Sequence, residues 1–249
     1  QQIKNLYPVI NNQDILGGFL TTLYIIHKFY FTKLNRLKLD YNVTKELVID
    51  TIPLSISRIG SLLVGESQFL IISNFINPTA TAIYALTVKT FQTLGTLINP
   101  ISSSLFNSIA YFDLKSDLIK IKRILKRVLS LHSAVSSILL CSVLSLNQAF
   151  VNLWVGSDKY AGNGLSFLML ISLFVYYRYN FISTFLLGLG LIKKNATAAL
   201  LEMFLRLILI FTFIKYIDVL SLPFSQFLSA LLVLMLFYLK IIKLEFNIK

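Results

Sequence analysis

The segment LPFSQFLSALLVLMLFYL, from Leu222 to Leu239, contains no charged residue. An α-helix of roughly 20 apolar residues spans a hydrocarbon core about 30 Å thick. Six further stretches have a similar character, so we predict an all-α, polytopic transmembrane bundle of seven helices. The predicted helices lie near Ile15–Phe31, Leu47–Ser73, Thr79–Phe112, Val128–Leu153, Asn163–Leu187, Ala196–Tyr216 and Leu222–Ile242.

The basic residues between these stretches fall on alternate sides of the predicted membrane. Sixteen of the 23 Lys and Arg residues share the side of the C-terminus, whereas Lys4, Lys159 and Lys215 lie on the other side. Cytoplasmic loops carry an excess of Lys and Arg. This pattern predicts an external N-terminus and a cytoplasmic C-terminus.

Composition excludes several classes of protein. Hydrophobic residues make up 56% of the chain and charged residues 14%, and the formal net charge is +12. We attribute this charge to the cytoplasmic bias and to contact with anionic lipid headgroups, and we predict no nucleic-acid partner. Cys141 is alone, and His27 and His132 are far apart in sequence. We therefore predict no metal site, no cofactor, no catalytic residue and no enzymatic activity.

The second predicted helix contains Pro53 and two ionisable residues, Arg58 and Glu66, whose burial in lipid costs free energy. An ionisable residue within a membrane helix usually faces a protein interior or a water-filled cavity, and is a candidate functional residue. Arg58 and Glu66 are separated by about 12 Å along a helix axis, so they cannot pair with each other. Lys89 of the next helix is a candidate partner for Glu66. Both roles of Glu66, in a structural ion pair or in lining a cavity, stay open.

Later helices contain further polar groups and a potential hinge. Pro100, after Asn99, removes a backbone hydrogen bond and predicts a kink, which could be a hinge or fixed geometry. Arg178 lies in an aromatic cluster without an acid nearby in its own helix. Glu202 precedes Arg206 by four residues, a spacing that predicts an ion pair within one helix.

Two further patterns occur, one just before the fourth predicted helix and one within it. Asp113–Arg127 alternates apolar and basic residues at helical spacing, which predicts an interfacial helix at the cytoplasmic surface, with a solvated basic loop as the alternative. A stripe of small residues at every fourth position predicts a close helix–helix seam. The stripe consists of Ser133, Ser137, Cys141 and Ser145.

Several segments resemble polysaccharide flippases of the O-antigen type, within the multidrug/oligosaccharidyl-lipid/polysaccharide exporter superfamily. PLSISRIG from Pro53, IISNF from Ile71 and AIYAL from Ala82 resemble the seventh and eighth helices of these proteins. FVNLWVGSDKY from Phe150 resembles an external loop, and LLGLGLIKK from Leu186 resembles a short cytoplasmic loop. The resemblance extends in order over most of the chain, but its motifs are diffuse.

The resemblance implies an architecture and a function. Residues 1–46 would hold the last helix of an N-terminal lobe and a cytoplasmic linker, and residues 47–249 a complete six-helix C-terminal lobe. The chain would then be the C-terminal portion of a longer protein in the bacterial inner membrane. Such proteins move undecaprenyl-pyrophosphate-linked oligosaccharide, an O-antigen or capsule repeat unit, to the outer leaflet by alternating access. Implied partners are this substrate, membrane lipids and other glycan assembly proteins.

Cationic side chains in the cavity of such a flippase would hold the pyrophosphate, since Arg binds phosphate in bidentate fashion. The candidates are Arg58, Lys89, Arg178 and Arg206; Arg58 is the first choice, and Arg206 is the weakest because of Glu202. Glu66 is a candidate for ion coupling, and Pro53, Asn99 and Pro100 are candidate hinge residues. A drug or metabolite antiporter on the same scaffold, a seven-helix receptor and an intramembrane enzyme are the alternatives. An antiporter would need more acidic groups in the cavity, a receptor would show a retinal-binding Lys in its last helix or a pair of external cysteines, and an enzyme would show an acidic or His cluster.

Overall fold

The computed structural model describes residues 41–112 and 117–245, and these contain helices and no strand. The chain divides into two compact units, Gln1–Val48 and Ile49–Lys249, and the contacts below belong to the second unit. The helices are α1 (Tyr41–Phe75), α2 (Pro78–Ile109), α3 (Leu118–Val155), α4 (Asn163–Gly188), α5 (Ile192–Ile217), α6 (Ser221–Val233) and α7 (Leu239–Glu245). A π-helical turn, Leu234–Tyr238, joins α6 to α7.

The turn between α1 and α2 has a clear local cause. The Oδ1 atom of Asn77 accepts a hydrogen bond of 2.6 Å from the backbone N–H of Ala80, so Asn77 is an N-cap. Pro78 follows at the first helical position, where a missing N–H costs nothing. The chain therefore reverses direction over two residues.

Contacts between helices give an up-and-down arrangement. Paired contacts run in opposite order along α5 and the α6–α7 segment, since Glu202 bonds to Ser229 and Asn195 to Tyr238. The order is the same along α2 and α4, where Ala161, just before α4, bonds to Thr87. Asn180 bonds to Asn99 further along both helices. Neighbours in sequence are thus antiparallel, and α2 and α4 are parallel.

We name the two ends of this bundle after residues in their turns. The Asn77 end holds the turns at residues 76–77, 156–162 and 218–220, and the Gly190 end holds the turn at residues 189–191. Gly156, Gly162 and Gly190 have positive φ angles of 102°, 93° and 76°, which glycine adopts without steric cost. At the Asn77 end, a hydrogen bond from Lys159 lowers the pKa of the exposed Asp158 carboxyl.

A buried polar network joins α2, α3 and α4 near the Asn77 end. The Nδ2 atom of Asn147 donates to the backbone oxygen of Thr87 and to the Oγ atom of Ser166, each at 3.2 Å. Its Oδ1 atom accepts from the hydroxyl of Thr90. The side chain of Asn147 is 1% exposed, so these bonds satisfy a polar group that would otherwise be costly inside an apolar bundle.

Apolar packing forms two clusters, one towards each end. The cluster at the Asn77 end includes Ile72, Phe91 and Ile210, and the cluster at the Gly190 end includes Ile109 and Phe185. Gly188 permits a close approach of α4 to α2, because a Cβ atom there would lie 3.2 Å from the backbone oxygen of Phe106. The two clusters fix the rotation of each helix, and hence which polar side chains face each other.

Three stretches of the described chain are long and apolar enough to cross a membrane: α3, α4 and Ile192–Leu244. The last reverses direction at Asp218, whose φ is 46°. The helices α1 and α2 are 35 and 32 residues long. They fall outside this set because polar residues lower their hydropathy. The all-helical prediction is confirmed, but the count of seven membrane helices is not supported; the first predicted helix, Ile15–Phe31, lies outside the described residues.

Two predictions about the fourth apolar stretch differ from the structure of the described residues. Residues 118–127 do not form a separate interfacial helix but are the first turns of α3, which continues to Val155. Among the described residues, the stripe that includes Ser137 and Cys141 forms no helix–helix seam, because Cys141 is exposed and the buried face carries His132, Ser136 and Leu140. The stripe's hydroxyls bond to carbonyls of their own helix, as Ser137 does to Ser133, so they need no neighbouring helix.

Candidate functional site

The largest cavity that we describe lies at the Gly190 end and contains Arg58. Its volume is about 530 Å³, within the range typical of ligand pockets. Arg58 is exposed and forms no ion pair with any described residue. We call this the Arg58 cavity; α1, α2, α4 and the first residue of α5 line it with Leu54, Arg58, Asn99, Ser102, Ser103, Phe106, Asn180, Thr184, Leu187 and Ile192.

A smaller cavity, the Arg206 cavity, lies midway along the bundle. Its volume is about 260 Å³, and five helices contribute to it. The Tyr84 hydroxyl donates a hydrogen bond of 3.0 Å to the Oε1 atom of Gln68, which fixes two of its walls. Its lining comprises Ser61, Gly65, Glu66, Gln68, Tyr84, Val88, Gln92, Gly95, Met169, Leu173, Tyr176, Tyr177, Arg206 and Gln226.

A third cavity, the Asp218 cavity, lies at the Asn77 end. Its volume is about 410 Å³, and its walls are mostly apolar. Asp218 supplies a carboxylate in the turn between α5 and α6. The lining residues are Ala80, Ile83, Tyr84, Ala161, Gly164, Leu165, Ile217, Asp218, Val219 and Leu220.

The three cavities follow one another along the same faces of α2 and α4. Tyr84 lines both the Asp218 cavity and the Arg206 cavity. Gly95 lines the Arg206 cavity, and a Cβ atom there would lie 3.5 Å from the Nδ2 atom of Asn99 in the Arg58 cavity. Spacings of three and four residues keep the lining on one helical face. The result is a series of spaces from one end of the bundle to the other.

Arg206 and Glu202 form the ion pair predicted from their spacing. Both side chains are buried, with 5% and 4% exposed. The Arg206 Nε atom donates to the Glu202 Oε1 atom at 2.9 Å, and the hydroxyl of Ser229 on α6 donates to the same oxygen at 2.9 Å. The guanidinium also lies 5.0 Å from the ring centre of Tyr176. Glu202 therefore compensates the charge of Arg206, as predicted.

The other two candidate cations lie apart from the cavities. Arg178 is half-buried and stacks on Phe174, with 4.3 Å from its guanidinium carbon to the ring centre. The Arg178 Nε atom and the Nδ1 atom of the buried His132 have no hydrogen-bond partner among the described residues. Lys89 is exposed on α2. Neither Arg178 nor Lys89 lines any of the three cavities.

The suggested pairing of Glu66 with Lys89 is not observed. The structure records no ion pair for either side chain within the described part of the chain. Glu66 is exposed and lines the Arg206 cavity, whereas Lys89 lies one residue beyond Val88, the nearest lining residue of α2. One residue rotates a helix by about 100°, which turns Lys89 away from the face that carries Val88.

The candidate hinge residues lie inside helices that continue past them. Pro53 is within α1 and Pro100 within α2. Asn99 lines the Arg58 cavity and accepts a long hydrogen bond, 3.4 Å, from Asn180 of α4. A hinge at these positions stays a prediction.

Several lining residues were not singled out in the sequence. Asn180 and Thr184 of α4 lie opposite Arg58 in the Arg58 cavity, and Gln92, Tyr177 and Gln226 line the Arg206 cavity. The amides among them could have been found by the rule that selected Arg58 and Glu66, because an amide in an apolar helix also needs a polar partner. The tyrosines carry no such signal, since aromatic residues are common in membrane helices.

Among the described residues, the arrangement offers Arg58 without an ion-pair partner at one end, a polar middle, and the carboxylate of Asp218 at the other end. It can bind and orient a polar molecule, and no group of three or more His, Cys, Asp or Glu side chains that could hold a metal ion occurs among the described residues. Comparisons with family models, with curated proteins and with solved structures found no match.

Proposed function

We propose that this protein is a transporter of the bacterial inner membrane that moves undecaprenyl-pyrophosphate-linked oligosaccharide to the outer leaflet by alternating access. The observation that supports this most is the series of three cavities along α2 and α4. A molecule that crosses a membrane needs such a route, and polar walls lower the cost of moving its polar part. In this proposal the helices form a membrane-embedded lobe.

The charge distribution favours the Gly190 end as the cytoplasmic side. The first turns of α3, the start of α5 and the end of the bundle place basic residues at this end. They are Lys120, Lys122, Arg123, Lys126, Arg127, Lys193, Lys194, Lys240 and Lys243. Substrate would then enter the Arg58 cavity from the inner leaflet, and membrane lipids and glycan assembly proteins would be its neighbours.

Arg58 is the residue that we assign to the pyrophosphate. A diphosphate leaving water needs compensating positive charge, and a guanidinium supplies two parallel hydrogen bonds. Arg58 has no acid to neutralise it among the described residues, whereas Arg206 has Glu202. Asn99, Asn180 and Thr184 add polar groups to the same cavity.

Substitution of Arg58 tests this proposal. Hydrogen bonds to charged groups contribute about 1.5–3 kcal/mol each, so Arg58→Ala should lower the rate of glycan transfer about ten-fold or more. Arg58→Lys should restore part of the rate, because charge remains without the bidentate geometry. Transfer would be measured in proteoliposomes with lipid-linked oligosaccharide, alongside membrane insertion. Lys89→Ala is the matched control, since Lys89 is also an exposed cation of the bundle; unchanged transfer by Arg58→Ala would refute the role.

An antiporter of drugs or metabolites is a second candidate. The observation that favours it is the presence of two carboxylates in the cavities, Glu66 in the middle and Asp218 at the Asn77 end. Proton-coupled efflux of a cationic dye, abolished by Glu66→Gln and unaffected by Arg58→Ala, would support this candidate over the flippase.

A further inference from the structure

The Arg206 cavity has a different chemistry from the Arg58 cavity. Amide and phenol side chains dominate its polar lining. Gln68, Gln92 and Gln226 each offer both donors and acceptors of hydrogen bonds, and Tyr176 and Tyr177 add aromatic rings. Such walls suit a neutral ligand with many hydroxyl groups.

Charge balance excludes this cavity as a second anion site. Glu202 compensates Arg206 at 2.9 Å, and Glu66 adds a carboxylate without an ion-pair partner among the described residues. With one formal positive charge on Arg206 and one formal negative charge on each of Glu202 and Glu66, the three groups together carry a formal net charge of −1. A pyrophosphate would be repelled, whereas an uncharged ligand would pay no electrostatic cost.

The guanidinium of Arg206 supplies hydrogen-bond donors to the lining of this cavity. The Nε and Nη2 atoms of Arg206 both lie 2.9 Å from the Glu202 Oε1 atom, so two of its three nitrogens face the same carboxylate oxygen. Arg206 is 95% buried, lines the cavity and rests on the ring of Tyr176. A guanidinium carries five N–H groups, and its contacts with Glu202 leave some of them for a ligand hydroxyl to accept from.

We propose that the Arg206 cavity binds one sugar unit of a neutral glycan. Sugar hydroxyls donate and accept at once, as the amides require, and the C–H faces of a pyranose ring pack on aromatic rings. The volume of about 260 Å³ is just below the usual range for drug-sized ligands, which suits a single monosaccharide unit. This inference rests on the proposed function, because it assigns the sugar part of the transported molecule to the middle of the series of cavities.

Binding of simple glycosides tests the inference without transport. The probes are methyl α-D-glucopyranoside and methyl N-acetyl-β-D-glucosaminide, with tetramethylammonium and inorganic pyrophosphate as charged comparisons. Saturation-transfer NMR would detect binding to the detergent-solubilised chain. For ligands of this size, typical ligand efficiency gives a dissociation constant on the order of 1 mM.

Two glutamine variants separate this cavity from the rest of the surface. Gln92 lines the Arg206 cavity and Gln148 of α3 lines none of the three cavities, and both are exposed, so neither change should prevent folding. Gln92→Leu should raise the dissociation constant of at least one glycoside about ten-fold, through lost hydrogen bonds. Gln148→Leu should leave it unchanged.

Three results would overturn the inference. The first is that neither glycoside shows saturable binding. The second is that Gln92→Leu and Gln148→Leu change the dissociation constant of the glycosides equally. The third is that Gln92→Leu abolishes binding of pyrophosphate or tetramethylammonium but leaves glycoside binding unchanged. The transfer assay on Arg58 is independent of these measurements. Failed glycoside binding with Arg58-dependent transfer would refute only the sugar site, and glycoside binding without such transfer would refute only the proposed function.

Discussion

The buried pair of Glu202 and Arg206 gives the sharpest energetic prediction. Glu202→Gln keeps an Oε1 acceptor for Arg206 and Ser229 but removes the negative charge. Arg206 is 5% exposed, so its guanidinium would be left inside the bundle without compensation. Removal of one partner from a buried ion pair costs about 3–5 kcal/mol.

The double variant separates charge from packing. Replacement of both partners by apolar residues of similar volume is often close to neutral, because the desolvation cost of both charges disappears. We therefore expect Glu202→Leu combined with Arg206→Met to be more stable than Glu202→Gln, even though it loses the hydrogen bonds at 2.9 Å from Arg206 and Ser229 to Glu202. Glu66→Gln, at an exposed carboxylate, should change stability by only about 0.5 kcal/mol or less.

Reversible unfolding in mixed micelles, followed by far-UV circular dichroism as the fraction of sodium dodecyl sulfate rises, measures these differences. A cost below about 1 kcal/mol for Glu202→Gln would show that water or another anion compensates Arg206. A double variant as unstable as the single one would show that packing, and not charge, sets the cost. Either result would refute the reasoning, and the first would also weaken the charge balance on which the sugar site depends.

Four further variants test the packing of the bundle and the candidate cation Lys89. Asn147→Leu should destabilise the bundle by roughly 2 kcal/mol, because three hydrogen bonds between helices are lost at about 0.6 kcal/mol each, and the same unfolding assay measures this. Gly188→Ala should destabilise the bundle by about 1–3 kcal/mol through overpacking, because the new Cβ atom would lie 3.2 Å from the backbone oxygen of Phe106. Gly65→Ala is the matched control: a Cβ atom there would have no other atom within 4 Å, so the change should stabilise α1 by about 0.5–1 kcal/mol. Lys89→Ala should leave the rate of glycan transfer unchanged within two-fold, because the Lys89 side chain lines none of the three cavities. A loss of transfer as large as that expected for Arg58→Ala would show that Lys89 contacts the transported molecule.

Local sequence patterns predicted the features that a single helix contains. The pair of Glu202 and Arg206 follows from a spacing of four residues, and the structure has it. The start of α4 at Asn163 was predicted to the residue. Both depend on helical geometry alone, in which residues three and four apart are neighbours.

Features that need two helices were predicted less well. Lys89 was proposed as a partner for Glu66 because Arg58, on the same helix as Glu66, is too far away, but α2 presents Val88 to the cavity and turns Lys89 away. The small residues around Cys141 were interpreted as a seam, yet packing turns a neighbouring face of α3, about 100° away and including Leu140, inwards. A sequence pattern does not contain the rotation of one helix against another.

Hydrophobic length along the chain was enough to predict an all-helical protein with helices long and apolar enough to cross a membrane, since it reflects the solvent around each segment. Arg58 was also found in this way, as an isolated charge in an apolar helix. The cavities depend on the tertiary structure: Asn99, Asn180 and Thr184 surround Arg58 because α2 and α4 run parallel and pack closely at Gly188. Packing energy is summed over many contacts between distant residues, so no local pattern reveals which polar faces meet.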